Sequence, residues 1–412
     1  MHLSGQTPLF RAKNLEKHLG IDSIYLKLEG SNPSGHKNDR IAESLVQFAY
    51  DQGFQNIFVY GSEQYVKSIS HFALGKEMTL YGHKSKESTL LQKKYPEINW
   101  ISIKRNQSMD THDQIEQYAI SQGYFLMSEW EKKPFIRSLA IQKITEEILE
   151  RVSEPATIWT QINGGYTLKS IYHELMRSWV NGKIVKIPQI NCGVHSLTLK
   201  RLAHDDALSE TIASTKATLY DIGTEKLKEA VRLLKRLENI SISAGEAYAL
   251  AALIENGASI PSPHIIILND GRNDIEISEI SKHPSTNKSE IVTHVRKLLE
   301  PYHDSIEETS DAVQKAIDVG FIFKATHNGE IQGICVVVHM GFSDFIPSYH
   351  LAYIGVKKGN KGRGIATELI NQAIDKTGGN LSLHVDIPNG RAKKLYEKMG
   401  FVHMYDRMLY KG

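Results

Sequence analysis

The chain has 412 residues, which at about 100 to 200 residues per domain predicts two to four domains. Hydrophobic residues make up 41% and charged residues 23% of the chain, a composition that excludes a disordered or collagen-like protein. With 49 Lys and Arg against 47 Asp and Glu, the net charge of +2 provides no basic excess for a polyanion. Nucleic acid is therefore not an expected partner.

The two cysteines, Cys192 and Cys335, exclude a disulfide scaffold and a multi-cysteine zinc site. The 18 histidines form no HExxH pair, so no metal site is expected. The first residues, MHLSGQTPLFRAKN, lack the apolar core of a secretion signal, and no stretch approaches the ~18 apolar residues of a membrane-spanning helix. We therefore expect a cytoplasmic protein without a membrane partner.

Between about Asn14 and Leu268, apolar runs alternate with helical patterns such as DRIAESLVQFAYDQG. The apolar runs are IYLKLE, NIFVYG, TIWTQI, QINCGV and HIIILND. This alternation predicts an α/β fold with a largely parallel sheet covered by helices. The run from Thr224 to Gly257 predicts two consecutive helices, because Asn239 and Gly245 interrupt its apolar spacing.

The polar segment SKHPSTNKSE contains Pro284 and has no periodicity, which is typical of a linker. Downstream, helical patterns precede the strand patterns FIFKATH, IQGICVVVHM and HLAYIGV, and a further helix follows Gly364. Asn328-Gly329 between the first two strands predicts a hairpin. We predict a first domain over 1–280, a linker over 281–290 and an α+β domain over 291–412.

Lys37 is the candidate for chemistry in the first domain. It follows a glycine-containing bend in NPSGHKNDR and precedes a long helix, where a lysine could form a Schiff base with a carbonyl cofactor. An ordinary solvated lysine is the alternative. The segment resembles the fold-type II pyridoxal-phosphate (PLP) enzymes, most closely threonine synthase and its relatives, whose lysine lies in NPTGSFKDR. The resemblance covers about Gly5 to Arg272 and continues through EKKPFIRSLAIQKITEEI, QINGGYTLKSIYHEL, ISISAGEAYALAAL and HIIILNDGR.

This resemblance implies a two-lobed parallel-sheet domain like the tryptophan synthase beta chain, with PLP as the cofactor and Lys37 as the Schiff-base residue. It places Asn269 or Asp270 opposite the pyridine nitrogen. It also implies a loop that offers N–H groups and one hydroxyl to the cofactor phosphate. The residues of that loop are Asn163, Gly164, Gly165, Tyr166 and Thr167.

Two positions depart from the family pattern. Aligned without a gap on Asp39-Arg40, the family lysine falls on Asn38 and Lys37 replaces its aromatic neighbour. The family's SSGN loop is Gly61, Ser62, Glu63 and Gln64 here, so the bulky acid Glu63 replaces the glycine that admits substrate. Two hypotheses therefore remain open for this domain: an active lyase or replacement enzyme, and a degenerate scaffold.

In the second domain, the segment VKKGNKGRGIATELI ends a strand in a glycine-rich basic loop that opens a helix. Such a loop offers backbone N–H groups and a helix N-terminus to an anion. Gly362 and Gly364 let the backbone approach phosphate oxygens, and Lys361 and Arg363 add charge. These features together predict a phosphate-ester ligand. The segment matches neither a Walker loop nor the dinucleotide fingerprint.

The next block, LSLHVDIPNGRAKKLYEKMGF, predicts a strand, a helix capped by Asn389, and Gly400 before a final strand. The two blocks together resemble the GNAT acetyltransferase superfamily over nearly all of 291–412. In that family a Gln or Arg opens the run that binds the coenzyme A pyrophosphate. The matching run here starts with Lys361 and continues with Gly362, Arg363, Gly364 and, after one residue, Ala366.

By this resemblance acetyl-CoA is the co-substrate, and Ile354, Gly355 and Val356 present backbone groups to its pantetheine arm. Asn389 contacts the coenzyme, and Tyr396 protonates the leaving thiolate, a role that suits a positioned phenol. The family does not fix the base that deprotonates the acceptor amine. Asp386 and His384 are the candidates for that base.

Our main hypothesis is an acetyl-CoA-dependent N-acetyltransferase fused to a threonine synthase-like domain. Its acceptor is the primary amine of an amino acid or related small molecule, which the first domain makes or binds, because tethering raises the effective concentration of a passed intermediate. In the rival hypothesis the first domain is a non-catalytic scaffold that recognises a metabolite or protein. In a third, the first domain is a working PLP enzyme and the acetyltransferase modifies proteins. The sequence leaves open whether the protein forms a homodimer.

Overall fold

The computed structural model divides into an N-terminal unit, Leu3–Arg272, and a C-terminal unit, Asn273–Gly412. The ranges that it describes are 3–86, 88–103, 111–129, 135–162, 164–202, 205–282, 287–301, 304–327, 329–342, 347–360 and 363–404. Within these ranges, no helix combines the length and the apolar character that crossing a membrane requires.

The N-terminal unit alternates strands and helices. Its strands are β1 (Leu9–Arg11), β2 (Ile24–Leu28), β3 (Asn56–Tyr60), β4 (Thr79–His83), β5 (Asn99–Ile101), β6 (Phe125–Ser128), β7 (Thr157–Gln161), β8 (Gln189–Val194), β9 (Thr218–Asp221), β10 (Ile240–Ser241) and β11 (His264–Leu268). Its helices are α1 (Lys13–Leu19), α2 (Asn38–Asp51), α3 (Glu63–Ala73), α4 (Thr89–Lys94), α5 (Thr111–Ser121), α6 (Phe135–Leu149), α7 (Tyr166–Val180), α8 (Ser196–Leu202), α9 (Asp206–Thr215), α10 (Thr224–Glu238) and α11 (Tyr248–Asn256).

Two sheets form the framework of this unit. One has the order β1-β2-β11-β7-β8-β9 and is parallel except for its edge strand β1. The other has the order β5-β4-β3-β6 and is parallel throughout. The predicted two-lobed parallel-sheet α/β fold is therefore confirmed, and the five predicted apolar runs are β2, β3, β7, β8 and β11.

The central strands are apolar on both faces because each face packs against a different core. Ile265 and Ile267 join the core that contains α2, α6 and α7, whereas Ile266 and Leu268 join the core that contains α10 and α11. Strands buried on both faces read as continuous apolar runs. The carboxyl ends of β7 and β11 lie at one edge of the sheet, the usual location of a ligand site in a parallel sheet.

The C-terminal unit is an α+β sandwich. Its elements are β12 (Arg272–Asn273, at the division between the units), β13 (Glu276–Glu279), α12 (Lys288–Leu299), α13 (Ile306–Val319), β14 (Phe321–His327), β15 (Glu330–His339), β16 (Tyr349–Val356), α14 (Ile365–Thr377), β17 (Leu381–Leu383) and α15 (Gly390–Lys398). The sheet order is β13-β14-β15-β16-β17, antiparallel except for the parallel pair β16 and β17.

The sequence predicts a domain boundary at residue 280. The structure divides the two units earlier, after Arg272. Strand β13 pairs with β14, with Glu276 opposite Thr326 and Glu279 opposite Phe323, so it belongs to the C-terminal sheet. A boundary at 280 would separate this strand from its sheet. The short run EISE contains too few apolar residues to signal a strand, and the polar segment after it marks a connection inside the unit.

Helices cover both faces of the C-terminal sheet. Helices α12 and α13 pack on the face that carries Ile334, Val336 and Tyr353, and α14 and α15 pack on the face that carries Cys335 and Val337. The predicted hairpin is present, since β14 and β15 pair antiparallel up to His327 opposite Glu330; Asn328 itself lies outside the described residues. Residues 401–404 form no strand, so the predicted final strand is absent from the part that is described.

Candidate functional site

Lys37 lies at the carboxyl edge of the central sheet. It immediately precedes α2, and its backbone N–H donates to the carbonyl oxygen of Asn269, the residue after β11, at 2.9 Å. Burial lowers the pKa of Lys37, and Arg137 adds to the effect, while the carboxylates of Glu246 and Glu129 oppose it. A lowered pKa increases the neutral, nucleophilic fraction of an amine.

The neighbouring Asn38 occupies the position that the ungapped alignment gives to the family lysine. It is buried, its N–H donates to His36 Nδ1 at 3.1 Å, and its Oδ1 accepts from Lys37 Nζ at 3.3 Å. Asn38 has no amine, so the amine that interacts electrostatically with Glu246 and Glu129 is that of Lys37. The assignment of Lys37 as the PLP lysine stays a prediction.

A buried ionic cluster fixes the start of α2. The guanidinium of Arg40 donates to both carboxylates of Glu29 and Glu147 at 2.7 to 2.9 Å, and Lys27 Nζ donates to Glu147 at 2.5 Å. Burial opposes ionisation of these two carboxyl groups, yet Arg40 and Lys27 hold the pKa of each below its ordinary value. Two cations and two anions balance, so the first turn of α2 and the adjacent Lys37 are held in place.

Two amide side chains meet at the Glu246 carboxylate. Asn269 Nδ2 donates to Glu246 Oε2 at 2.7 Å, and Gln161 Nε2, at the end of β7, donates to the same oxygen. Burial disfavours the charge on Glu246, but His36, Asn269 and Lys37 outweigh it and lower the pKa of Glu246. This carboxylate is therefore ionised at neutral pH.

The two residues predicted to face the pyridine nitrogen, Asn269 and Asp270, differ in their hydrogen bonds. Asn269 Oδ1 is buried and has no hydrogen-bond partner among the described residues. The Asp270 carboxylate instead accepts the backbone N–H of Ser243 at 3.1 Å, and burial raises the pKa of Asp270.

The predicted phosphate loop leads into the N-terminus of α7. Gly165 has φ +75°, and a Cβ there would lie 2.8 Å from Leu208 Cδ1, so the position requires glycine. The 15-residue helix starts at Tyr166 without a side-chain cap, and Gly164 lies in open space before it. The first-turn N–H groups, including that of Thr167, are placed where an anion could accept from them, and their role in phosphate binding stays a prediction. Asn163 lies outside the described residues.

Arg137 is a site residue that the sequence reasoning missed. It is 4% exposed, its Nη1 donates to the Ser128 carbonyl at 2.9 Å, and its guanidinium lies 4.8 Å above the Tyr166 ring. Among the described residues it has no carboxylate partner, and its Nε has no acceptor. A buried guanidinium therefore places a positive charge beside the start of α7. The available signal was an arginine on the buried face of the apolar helix α6.

The carboxylate that accepts a hydrogen bond at the N-terminus of α3 belongs to Glu129 and not to Glu63. Glu63 faces solvent and pairs with Lys94 at 2.5 Å. The Glu129 carboxylate accepts the N–H of Ser62 at 2.6 Å, and a Cβ on Gly61 would lie 3.0 Å from the Glu129 Cβ. Nothing in the sequence pointed to Glu129, because it follows β6, about 65 residues away along the chain.

In the C-terminal unit, the short strand β17 pairs only with the beginning of β16. Tyr349 to Leu351 pair with Leu381 to Leu383, and β16 then continues to Val356 while paired with β15 alone. The register shifts near Ala352, which bulges the strand at this point. Backbone groups of Ile354 to Val356 therefore lie beyond the end of β17, where β16 has a strand partner on one side only.

The next helix along the chain after β16 is α14. Gly364 caps this 13-residue helix with φ +87° and no side-chain cap, so the first-turn N–H groups, including that of Ala366, can meet an anion. The carbonyl oxygen of Arg363 accepts a hydrogen bond from Asn273 Nδ2, which holds the loop. Lys361 and Gly362 lie outside the described residues.

Tyr396 lies on α15 and is 8% exposed. Burial, and then the neighbouring Cys335, raises the pKa of Tyr396 to about 12, so the phenol keeps its proton at neutral pH. Asn389 begins the same helix, and its Oδ1 accepts the N–H of Ala392 at 3.2 Å, which confirms the predicted cap.

The two candidate bases, His384 and Asp386, are exposed beyond the end of β17. The His384 ring lies 4.5 Å from the ring of His350, which is on β16 opposite Ser382 of β17. His350 is a third candidate base that the sequence reasoning did not single out. A histidine within a strand gives no local signal of a site.

Comparison with known proteins gives the class of the chain. The family described as "Pyridoxal-phosphate dependent enzyme" matches residues 1–271, and the "Acetyltransferase (GNAT) family" matches residues 292–401. The chain belongs to the pyridoxal-phosphate dependent enzymes of fold type II, and a GNAT acetyltransferase domain follows in the same chain.

Among individual proteins, the chain is similar to threonine synthase of Methanocaldococcus jannaschii, with 24% identity over 65% of this chain and 74% of that protein. Maize serine racemase superposes with a TM-score of 0.53 at 14% identity, and a PLP-dependent aspartate racemase with 0.52 at 12%. Each alignment covers 64% of this chain and 89% of the other. At these identities the two structures show the fold alone.

Proposed function

We propose that this protein is an acetyl-CoA-dependent N-acetyltransferase for a primary amine of an amino acid or related small molecule. Its N-terminal unit holds PLP at Lys37 and makes or binds that amino acid. The observation that carries the acetyltransferase part is the stretch of β16 that continues past the end of β17, paired with β15 alone, together with the uncapped N-terminus of α14.

The chemistry of transfer follows from these groups. The backbone of Ile354 and Val356 holds the pantetheine arm, and the N–H groups after Gly364 hold the pyrophosphate. The acceptor amine attacks the acetyl carbonyl carbon, the bond from that carbon to sulfur breaks, and the Tyr396 hydroxyl donates its proton to the departing thiolate. The amine proton leaves to a base, for which His384, Asp386 and His350 are the candidates.

The residues around Lys37 fit a PLP group. The N–H groups at the uncapped start of α7 and the buried Arg137 guanidinium can bind a phosphate. Asn269 Oδ1, which has no partner among the residues described, can accept a hydrogen bond from a ring atom. When bound, PLP supplies a carbonyl that reacts with amines and a ring that accepts electrons from the attached amino acid. Lys37 provides an amine of lowered pKa for the carbonyl carbon, and Arg137 holds the phosphate.

A pair of glycine substitutions tests the acetyltransferase part. Gly364 and Gly378 both have positive φ and cap opposite ends of α14, so Gly364→Val and Gly378→Val each introduce strain of about 1–2 kcal/mol. Only Gly364→Val adds bulk at the coenzyme site. We expect it to abolish acetyl-CoA binding in calorimetry and acetylation of free amino acids, while Gly378→Val retains both. An unmodified chain without acetyl-CoA affinity contradicts the proposal.

A second candidate function for the N-terminal unit is a non-catalytic recognition scaffold. The observation that favours it is the Glu129 carboxylate, which accepts the Ser62 N–H at the helix end where the family loop admits substrate. If the scaffold hypothesis holds, amino acids leave the absorbance of the PLP-loaded chain unchanged, and Glu129→Gln restores a response. If the enzyme hypothesis holds, the unmodified chain already responds. Glu97→Gln, an exposed change in the same unit, is the control.

A further inference from the structure

The amide groups of Asn269 and Gln161 have only one orientation that suits their surroundings. Both NH₂ groups donate to Glu246 Oε2, and an ionised carboxylate can only accept hydrogen bonds. Turning either amide over would place its carbonyl oxygen against the carboxylate. The carbonyl oxygens of both side chains are therefore the atoms that remain for other partners.

Those two oxygens are buried acceptors without a donor. Asn269 is 2% exposed and Gln161 is 4% exposed, and neither Asn269 Oδ1 nor Gln161 Oε1 has a hydrogen-bond partner among the described residues. Burying an acceptor without a donor is unfavourable, so the site is completed by a ligand that presents an N–H or O–H group.

The charges around Asn269 favour a positively charged donor. Glu246 is ionised and lies one hydrogen bond behind the Asn269 amide. On the other side of Glu246, His36 Nε2 lies 3.7 Å from Oε1, and Lys37 and Asp270 are the further titratable groups that face this carboxylate. A negative charge transmitted through an amide strengthens a hydrogen bond from a cation.

We propose that Asn269 and Glu246 hold the ring nitrogen of bound PLP in its protonated, pyridinium form. The N–H of the ring donates to Asn269 Oδ1, and Glu246 compensates the positive charge. A hydroxyl group in place of Asn269 could donate to an unprotonated nitrogen, but an amide oxygen cannot. This inference rests on the proposed function, since it requires PLP at Lys37, and it makes the bound ring a stronger electron acceptor.

The direct test is the ¹⁵N NMR spectrum of the full chain loaded with PLP that carries ¹⁵N in its ring. We expect the resonance at the position of a pyridinium nitrogen at neutral pH. The pH at which the nitrogen loses its proton should lie about one unit or more above that of free PLP. This readout does not depend on any catalytic activity.

Glu246→Gln sharpens the test. A glutamine at this position can donate to Asn269 Oδ1, which lets Asn269 turn its NH₂ group toward the ring and favours the unprotonated nitrogen. We expect the resonance to move to the neutral pyridine position in Glu246→Gln but not in Glu225→Gln, which changes an exposed residue of the same unit. If Glu246→Gln does not bind PLP, Asn269→Ser serves the same purpose by supplying a hydroxyl donor.

The outcomes separate this inference from the proposed function. PLP bound at Lys37 with a neutral ring nitrogen in the unmodified chain overturns the inference and leaves the proposed function intact. A pyridinium resonance that persists in both Glu246→Gln and Asn269→Ser also overturns it, because the proton would then be held by other groups. A chain that binds no PLP contradicts the proposed function, and this inference with it.

Discussion

The two units of this protein form their candidate sites from different parts of the chain. In the C-terminal unit the site is mainly backbone: the edge of β16 beyond its pairing with β17, and the N–H groups at the start of α14. In the N-terminal unit it is mainly side chains: Lys37, Glu246 and Asn269 at the carboxyl ends of β7 and β11. A backbone site tolerates changes of residue type, whereas a one-residue displacement such as that of Lys37 changes the chemistry itself.

The largest effect is expected at Tyr396, the exception to the backbone character of the C-terminal site. Tyr396→Phe removes one hydroxyl, and we expect turnover to fall by about 10²- to 10⁴-fold with unchanged acetyl-CoA affinity. Because burial and Cys335 raise the pKa of Tyr396 to about 12, the rate should not decline near pH ~10, where an ordinary tyrosine loses its proton. Initial rates across pH, measured by thiol release, check both points.

Tyr353→Phe is the matched control for that experiment. Tyr353 is buried on the opposite face of the sheet, where its hydroxyl donates to Asp304 at 2.8 Å. We expect this variant to lose about 0.5–3 kcal/mol of stability with turnover preserved. Equal turnover losses in the two variants, each in step with stability, would mean that Tyr396 is only a core residue.

The second effect concerns the ionic cluster that supports the side-chain site. Arg40→Met leaves Glu29 and Glu147 buried with Lys27 alone, and we expect it to lower the free energy of unfolding of the N-terminal unit by about 3–5 kcal/mol. Lys228→Met breaks an exposed ion pair with Glu225 in the same unit and should cost no more than about 1 kcal/mol. Denaturation followed by hydrogen exchange in each unit measures both.

The pH dependence of this cluster has a definite sign. The pKa values of Glu29 and Glu147 are lower in the folded chain than the ~4.3 of an unfolded glutamate. Their contribution to stability is therefore present above pH ~4.3 and is lost as the pH falls below it. This description of the cluster is contradicted if the stability of the N-terminal unit does not change as the pH falls below ~4.3. It is also contradicted if Arg40→Met leaves that stability unaltered.

The smallest effect separates two roles of Asn389. As a helix cap, Asn389→Ala should cost about 1 kcal/mol, whereas Asn389→Gly should cost only a few tenths. If the side chain also contacts the coenzyme, both variants lose acetyl-CoA affinity equally despite their different stabilities. Affinities that follow the stability difference instead would limit Asn389 to capping.

Sequence reasoning predicted most of the fold because the signals are local. The doubly buried strands β7 and β11 read as apolar runs, and Asn389 and Gly364 lie at helix starts as expected. The structure divides the units after Arg272, earlier than the predicted boundary at 280, because β13 depends on pairing with β14 rather than on its own composition.

The contributions of Glu129 and Arg137 were missed for a related reason. Each comes from an element distant in sequence from the loop that it contacts, Ser62 for Glu129 and Tyr166 for Arg137. Side-chain sites assembled from distant segments give no single motif. The same holds for Glu246, whose two amide partners follow or end different strands.

The central claim, that the N-terminal unit holds PLP through the displaced Lys37, has a direct measurement. The full chain is loaded with PLP, reduced with borohydride, digested and analysed by mass spectrometry of its peptides. We predict that the reduced cofactor is attached to Lys37, and not to Lys67, whose amine instead donates to the Ser34 carbonyl at 2.5 Å. Attachment to Lys67 or to another lysine, or no attachment at saturating PLP, would contradict the account.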